Sequence, residues 1–383
     1  MNILLLCWRD TAHPQGGGSE RYLERVAEYA ALRGHRVMYR TAAVSRKPAR
    51  ETKCGVEFRR RGGRMSVYVT AALEMLMGAY RDVDVVVDTQ NGIPFFAKWW
   101  LRRPTVVLTH HCHREQWPVA GPVLARIGWF LEGTVAPFAY RRSQYITVSE
   151  PSARELTELG VNRERIAIVR NGLDPVPAFT PLAEDGRVHL VTLSRLVPHK
   201  QIEHAMDVVA ALAPHHDVVL DVIGSGWWED ELRQYAREVG VDSRVVFHGH
   251  VSEETKHALL ARAAVHLMPS RKEGWGLAVM EAGQHGVPTV GYASSAGLRD
   301  SVIDGETGLL VRDKAGLIQA VYEVTRDEGR RQALGEAARL RAREFSWEHT
   351  GADFLQVVAA VAHSQRPSRA SRAAESTRDT TAK

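Results

Sequence analysis

Cysteine is scarce and long apolar runs are absent. Cys7, Cys54 and Cys112 are scattered through 383 residues with no CxxC spacing. That argues against a secreted disulfide scaffold and against a thiolate zinc site. No apolar run reaches the roughly 18 residues of a membrane-crossing helix. The apolar start, residues 2–7, has no basic flank and no small-residue cleavage site, so a first strand is expected there rather than a signal peptide. The G-x-G-x-x-G dinucleotide fingerprint fails where it can be tested. Counting from Gly16, the third glycine position is Arg21; counting from Gly224, it is Glu229. A nicotinamide-dependent oxidoreductase is therefore disfavoured. No RRM, KH or zinc-finger pattern accompanies the charge, so nucleic acid is not an expected partner.

What is present is an ordinary globular balance, 44% hydrophobic and 25% charged, with length for about two domains. Short β-branched runs alternate with helically spaced apolar residues in the front half. The runs are residues 2–7, 35–40, 83–87, 105–108, 143–148 and 166–169, and Tyr22, Leu23, Val26, Tyr29 and Ala30 mark the first helix. The pattern restarts in the back half with runs at 188–194, 218–223, 245–247, 265–268 and 289–291. Such alternation predicts two Rossmann-like, doubly wound parallel-sheet α/β domains facing across a cleft. The expected domains are 1–175, completed by a C-terminal helix over 346–363, and 176–345. Pro175, Pro177 and Pro181 fall in an aperiodic linker, and 364–383, without large apolar residues, is expected to be a disordered tail.

Charge is divided unevenly. Residues 1–175 carry 26 basic against 17 acidic side chains, and residues 176–363 carry 19 against 26. A basic front half suits an anionic partner or membrane surface, although a solvated arginine-rich surface has the same composition. Arg59-Arg60-Arg61 with Arg64, ahead of the apolar stretch 67–80, and Trp117, Trp129, Phe130 and Phe138, ahead of Arg141-Arg142, set bulky apolar groups beside cations.

Four segments could carry chemistry. Gly16-Gly17-Gly18-Ser19-Glu20 joins the first strand to the first helix, where unpaired amides favour phosphate. Arg195 and Lys200 follow the first back-half strand and could clamp a diphosphate, though two surface cations are commonly only solvated. Glu273-Gly274-Trp275-Gly276-Leu277 leads into a helix bearing Glu281. Its amides suit phosphate oxygens and its two carboxylates suit sugar hydroxyls. Thr109-His110-His111-Cys112-His113 invites a metal, but neighbours on an extended chain diverge and no recognised ligand spacing completes the set. No metal site is expected.

Together these pieces resemble a family 4 retaining glycosyltransferase of the GT-B fold, over about residues 1–363. The resemblance rests on Gly17-Gly18-Ser19-Glu20, Thr109-His110-His111, Asn171-Gly172-Leu173-Asp174, Ser194-Arg195-Leu196 with Lys200, Gly224-Ser225-Gly226, and Glu273 with Glu281 eight residues on. Asn91-Gly92-Ile93-Pro94 followed by 110–117 resembles a bacterial subgroup. The resemblance implies a nucleoside-diphosphate sugar as donor substrate, no cofactor and no metal. It implies that Arg195 and Lys200 hold the diphosphate, Glu281 the ribose and Glu273 the donor sugar. Gly274, Trp275, Gly276 and Leu277 support sugar and phosphate through their amides, and Gly17 and Gly18 close over the donor. His111 stands near the donor sugar, with His110 one position off register. The base lies near Gly224–Gly226 and the stretch 248–251, including His250 and Val251. The implied reaction is front-face transfer to a glycan or glycolipid acceptor, in the cytoplasm or on the inner face of the cell membrane. Two other readings of the same residues are a GT-B-related epimerase or phosphorylase and a non-catalytic nucleotide-sugar sensor.

Overall fold

The computed structural model describes residues 1–364 apart from 15, 115, 116 and 118–120. The expectation of a disordered tail falls on residues outside those described, save Ser364. The chain divides into two compact units: residues up to Arg170 together with the final helix from Trp347, and Asn171–Ser346, with Ser149–Pro151 grouped in the second.

The first unit is built on an eight-stranded sheet. Its strands are β1 (Asn2–Leu6), β2 (Arg36–Thr41), β3 (Arg50–Lys53), β4 (Val56–Arg60), β5 (Val85–Thr89), β6 (Thr105–Leu108), β7 (Gln144–Thr147) and β8 (Ile166–Ile168), in the order β3-β4-β2-β1-β5-β6-β7-β8. All neighbouring pairs are parallel except β3 with β4. The central strands read as unbroken apolar runs because helices cover both faces: Leu4, Leu5 and Leu6 of β1 and Val85, Val86 and Val87 of β5 are all buried. The helix Gly18–Leu32 buries Tyr22, Leu23, Val26, Ala27 and Ala30. The final helix, Trp347–Ser364, packs against it closely enough that a Cβ on Gly351 would stand 2.3 Å from the Tyr29 ring.

The β3–β4 hairpin was not expected from the sequence. It turns at Cys54 and Gly55, both left-handed (φ 49° and 78°), the backbone a two-residue hairpin requires. Its strands carry mostly charged residues, and only the alternate Val56, Phe58 and Arg60 are buried. This corrects the reading of 59–61 as an exposed basic run. The Arg60 side chain is buried, with Nε 2.7 Å from Asp10 and Nη1 2.7 Å from Glu51, and Arg59 pairs with Glu57 at 2.7 Å. Arg61 and Arg64 are the exposed cations of that group.

The second unit holds a six-stranded, wholly parallel sheet. Its strands are β9 (Val188–Leu193), β10 (Val218–Ile223), β11 (Val245–Gly249), β12 (Val265–Met268), β13 (Thr289–Tyr292) and β14 (Gly308–Val311), in the order β11-β10-β9-β12-β13-β14. Leu190, Leu220, Val222, Val265, Leu267 and Val290 form its centre, with the buried stripe Ala205, Val208, Val209 and Leu212 of the helix Ile202–Leu212 packed among them. Between Asn171 and Gly186 there is neither helix nor strand, only a bridge from Leu173 to Ser346.

Candidate donor site and N-terminal loop cluster

In a parallel sheet the loops that follow neighbouring strands leave by the same edge. Here the adjacent strands β10, β9 and β12 send out the segments carrying Gly224, Arg195 with Lys200, and Glu273. Lys200 Nζ lies 2.5 Å from Glu273 Oε1, with only 13% and 10% of the two side chains exposed. The Arg271 amide donates to the His199 carbonyl at 3.0 Å, so an ion pair and a backbone bond join the loops after β9 and β12. A small cavity at this joint is lined by Thr192, Ser194, Lys200, Met268 and Ser270. Arg195 is exposed and makes no ion pair among the described residues. Burial, reinforced by the Lys200 charge, holds His199 below its usual value.

Gly224 and Gly226 have a defined task. A Cβ on Gly224 would stand 2.0 Å from the Ser194 carbonyl oxygen, and one on Gly226 2.0 Å from that of Leu196. Gly224 also has φ +123°, a region other residues avoid. The contact is sealed by backbone bonds from Leu196 to the Ser225 carbonyl (3.1 Å) and from Trp228 to the Leu196 carbonyl (3.2 Å). These glycines thus seat the segment that bears Arg195. Gly224 further donates to the Gly249 carbonyl at 2.9 Å, which brings in the loop with exposed His250 and half-buried Val251.

Glu273 precedes the helix Leu277–Gln284, whose cap Gly276 is left-handed at φ +86°. Gly297 approaches from the next loop, and a Cβ there would stand 2.3 Å from the Glu273 carbonyl oxygen. The Trp275 side chain is 2% exposed and meets the Phe345 ring edge-on at 4.8 Å, so Trp275 can serve a ligand only through its backbone. Glu281, one turn along the helix, lies 2.7 Å from Lys256 Nζ, which also holds Glu253 at 2.7 Å. Burial pushes the Glu281 carboxyl up, and Lys256 offsets part of that.

In the first unit β1, β5 and β6 are neighbours, and the segments after them carry Gly17–Gly18, Asn91–Gly92 and His110–His113. Glu20 is fully buried and gathers two of these. Its oxygens accept from Gly17 N (2.8 Å), Arg9 Nε (2.8 Å), Ser19 Oγ (2.9 Å) and Asn91 Nδ2 (3.2 Å). His110 belongs to the interior: neither ring nitrogen has a hydrogen-bond partner, the ring sits 5.0 Å edge-on from Tyr22, and burial depresses its value to about 3. His111 is half-buried and its ring lies 4.4 Å from that of His113, so of the two register choices His111 is the one left accessible. Trp117, expected among bulky surface aromatics, is instead packed between glycines: a Cβ on Gly92 would meet its ring at 3.2 Å and one on Gly128 at 2.3 Å.

Several residues of these clusters escaped sequence reasoning. The cations Lys256 and Arg271, His199, and the carboxylate Glu132 have no motif of their own. The basic pair Arg271-Lys272 just ahead of Glu273 was a signal available for one of them. Among the described residues no group of three or more His, Cys, Asp and Glu side chains is placed to hold a metal ion.

Two family models match the chain: Glycosyltransferase Family 4 over residues 16–176 and Glycosyl transferases group 1 over residues 179–341. Among curated proteins, a glycogen synthase of Mycobacterium tuberculosis is 34% identical over 230 residues, 58% of this chain and 55% of that protein. The chain thus matches little more than half the length of that relative. A GDP-mannose-dependent alpha-(1-6)-phosphatidylinositol monomannoside mannosyltransferase of Mycolicibacterium smegmatis is 31% identical over 270 residues, 66% of this chain and 69% of that protein. Among solved structures, sucrose-phosphate synthase from Thermosynechococcus elongatus superposes with a TM-score of 0.78 at 20% identity, covering 95% of this chain and all of that one.

Proposed function

The chain belongs to glycosyltransferase family 4, the retaining enzymes of the GT-B fold, and from that premise we propose that it moves a sugar from a nucleoside-diphosphate sugar to an acceptor hydroxyl. The observation that carries the reading is the Lys200–Glu273 joint at the strand edge of the second unit, with exposed Arg195 beside it. Lys200 and Arg195 hold the diphosphate and meet the charge that builds on it as the bond to the anomeric carbon breaks. Glu273 accepts from donor-sugar hydroxyls and, through its ion pair, fixes the Lys200 ammonium. Glu281 accepts from the ribose. The amides of Gly274–Leu277 supply further donors at a helix N-terminus, and Gly224 and Gly226 seat Arg195. The acceptor oxygen attacks the face that the diphosphate leaves, and a diphosphate oxygen takes its proton. Two protein cations and backbone donors supply the positive field, so no metal is required.

A panel of UDP- and GDP-sugars, assayed for nucleoside-diphosphate release with and without a chelator, tests this reading. Release from one sugar donor, unchanged by chelation, is the expected result. Tight donor binding without release would instead favour a non-catalytic sensor.

The acceptor is a glycan or glycolipid of an envelope pathway, met at an anionic membrane surface by the first unit. Two helices support this. Ser66–Leu76 buries Val67, Ala71 and Met75 on one face, yet exposes Val69, Leu73 and Leu76, also at helical spacing, on the other. Pro122–Phe130 exposes Leu124, Ile127 and Phe130, the last at 58%. Exposed arginines accompany both along the chain: Arg61 and Arg64 precede the first, Arg126 lies within the second, and Arg141 and Arg142 follow it farther on. Apolar faces with cations beside them match the chemistry of an anionic bilayer surface. Among the described residues no helix is long and apolar enough to cross a membrane.

A further inference from the structure

The geometry points to Glu132 as a positioning residue for the histidine segment after β6, acting on transfer through His113 and His111 rather than by touching the sugar. The inference rests on the proposed sugar transfer and on the place near the donor sugar that the family resemblance implies for His111.

Glu132 is fully buried and lies in a single wide turn, Leu131–Val135, inserted between the helices Pro122–Phe130 and Ala136–Ala139. Single wide turns of this kind inside α-helices are frequent at functional sites. Both oxygens of this carboxylate are engaged by one segment. Oε1 accepts from the His113 amide at 3.0 Å and lies 3.1 Å from His113 Nδ1, and Oε2 accepts from Trp117 Nε1 at 2.6 Å. The His113 ring in turn rests against that of His111. Trp117 wedges between Gly92 and Gly128, and the adjacent Asn91 is tied through Glu20 to Gly17. One buried carboxylate therefore sets the course of the chain immediately after His111 and locks it to the glycine loops of the same unit.

A buried carboxylate accepting from a backbone amide, an indole and an imidazole has no neutral substitute with the same acceptors. Glutamine keeps the shape but offers one acceptor oxygen and an NH2 group, so a donor of the segment is left facing a donor. The segment should then shift, and a displacement near 1 Å costs a transferase on the order of tenfold to a hundredfold in rate.

The experiment compares Glu132→Gln, His111→Ala and the double variant for kcat and donor KM, with nucleoside-diphosphate affinity measured by calorimetry. Expected are a kcat for Glu132→Gln lowered at least tenfold, unchanged nucleoside-diphosphate affinity, and no further loss when Glu132→Gln is added to His111→Ala, since coupled residues do not add. Wild-type kcat in folded Glu132→Gln overturns the proposal, as do losses that simply multiply in the double variant. If His111→Ala turns over normally, the placement of His111 has failed and the proposal falls with it; if His111→Ala is slow and Glu132→Gln is not, only the positioning role has failed. If Glu132→Gln does not fold, Trp117→Phe removes one of the donors and keeps a ring between Gly92 and Gly128; the same comparison with His111→Ala then decides.

Discussion

At the scale of single residues, the proposed donor site is built on charge pairs. Lys200 is held by Glu273 and Lys256 by Glu281, so an arriving diphosphate and its sugar hydroxyls can take over partners already in place. Lys200→Ala and Arg195→Ala should each lower transfer about 10²–10³-fold, the usual loss on removing one stabiliser of developing charge. Steady-state release of nucleoside diphosphate reads this, and near-normal turnover in both variants would remove the diphosphate clamp from the mechanism. His110 illustrates the opposite case, a titratable side chain serving only the interior. Its folded value, about 3, lies below the ordinary 6.5. The stability it contributes is therefore complete above 6.5 and drains away as pH falls toward 3, because the unfolded chain takes up the proton first. Urea unfolding between pH 7 and 4 should show a shallower acid loss in His110→Phe than in the parent.

At the scale of elements, the site depends on loops lying closer than side chains permit. Gly226→Ala places a methyl 2.0 Å from the Leu196 carbonyl oxygen, and Gly224→Ala places one 2.0 Å from the Ser194 carbonyl oxygen on a backbone with positive φ. Backbone atoms cannot swing away, so each substitution should cost about 1–3 kcal/mol of stability. It should also weaken nucleoside-diphosphate binding, because Arg195 moves with the segment. Calorimetric titration alongside denaturant unfolding measures both, and a stable variant with parental affinity would show that the two loops yield freely. The β3–β4 hairpin and β14 went unread in the sequence for a related reason. β3 is a short, mostly exposed edge strand whose charged residues show no apolar alternation, and β14, Gly308–Val311, is four residues at the edge of its sheet.

At the scale of the whole molecule, charge and apolar exposure coincide in the first unit. Arg40, Arg59 and Arg60 are engaged by carboxylates of the same half, which leaves the net basic excess of residues 1–175 unchanged but withdraws those three cations from contact with a surface. The remaining exposed arginines are worth about 1 kcal/mol each against an anionic leaflet. The protein should therefore co-sediment with anionic vesicles at low salt and leave them as screening increases. Leu73→Ser combined with Phe130→Ser should reduce that binding while leaving transfer to a water-soluble acceptor intact. Protein that stays in the supernatant with anionic vesicles at low salt would point to an acceptor free in solution.

The residues of the proposed donor site stand out in the sequence because their signals are local. Glycines at strand-to-helix junctions, two carboxylates eight residues apart around a helix start, and cations just past a strand each announce themselves within a short window. The alternation of apolar runs with helical spacing likewise revealed two parallel-sheet units, since both periods follow from backbone geometry. Partnership was decided only by the tertiary structure. The sequence shows Lys200, Glu273, Lys256 and Glu281 but not which ammonium faces which carboxylate. It shows Arg60 as one of a basic run, not as the buried partner of Asp10, and Glu132 as one acid among many. The Lys200–Glu273 pairing follows from strand order, which sets β9 beside β12 across a long crossover, and the others from how helices and loops pack around the two sheets. A contact between residues tens of positions apart leaves no period or spacing in the chain from which it could be read.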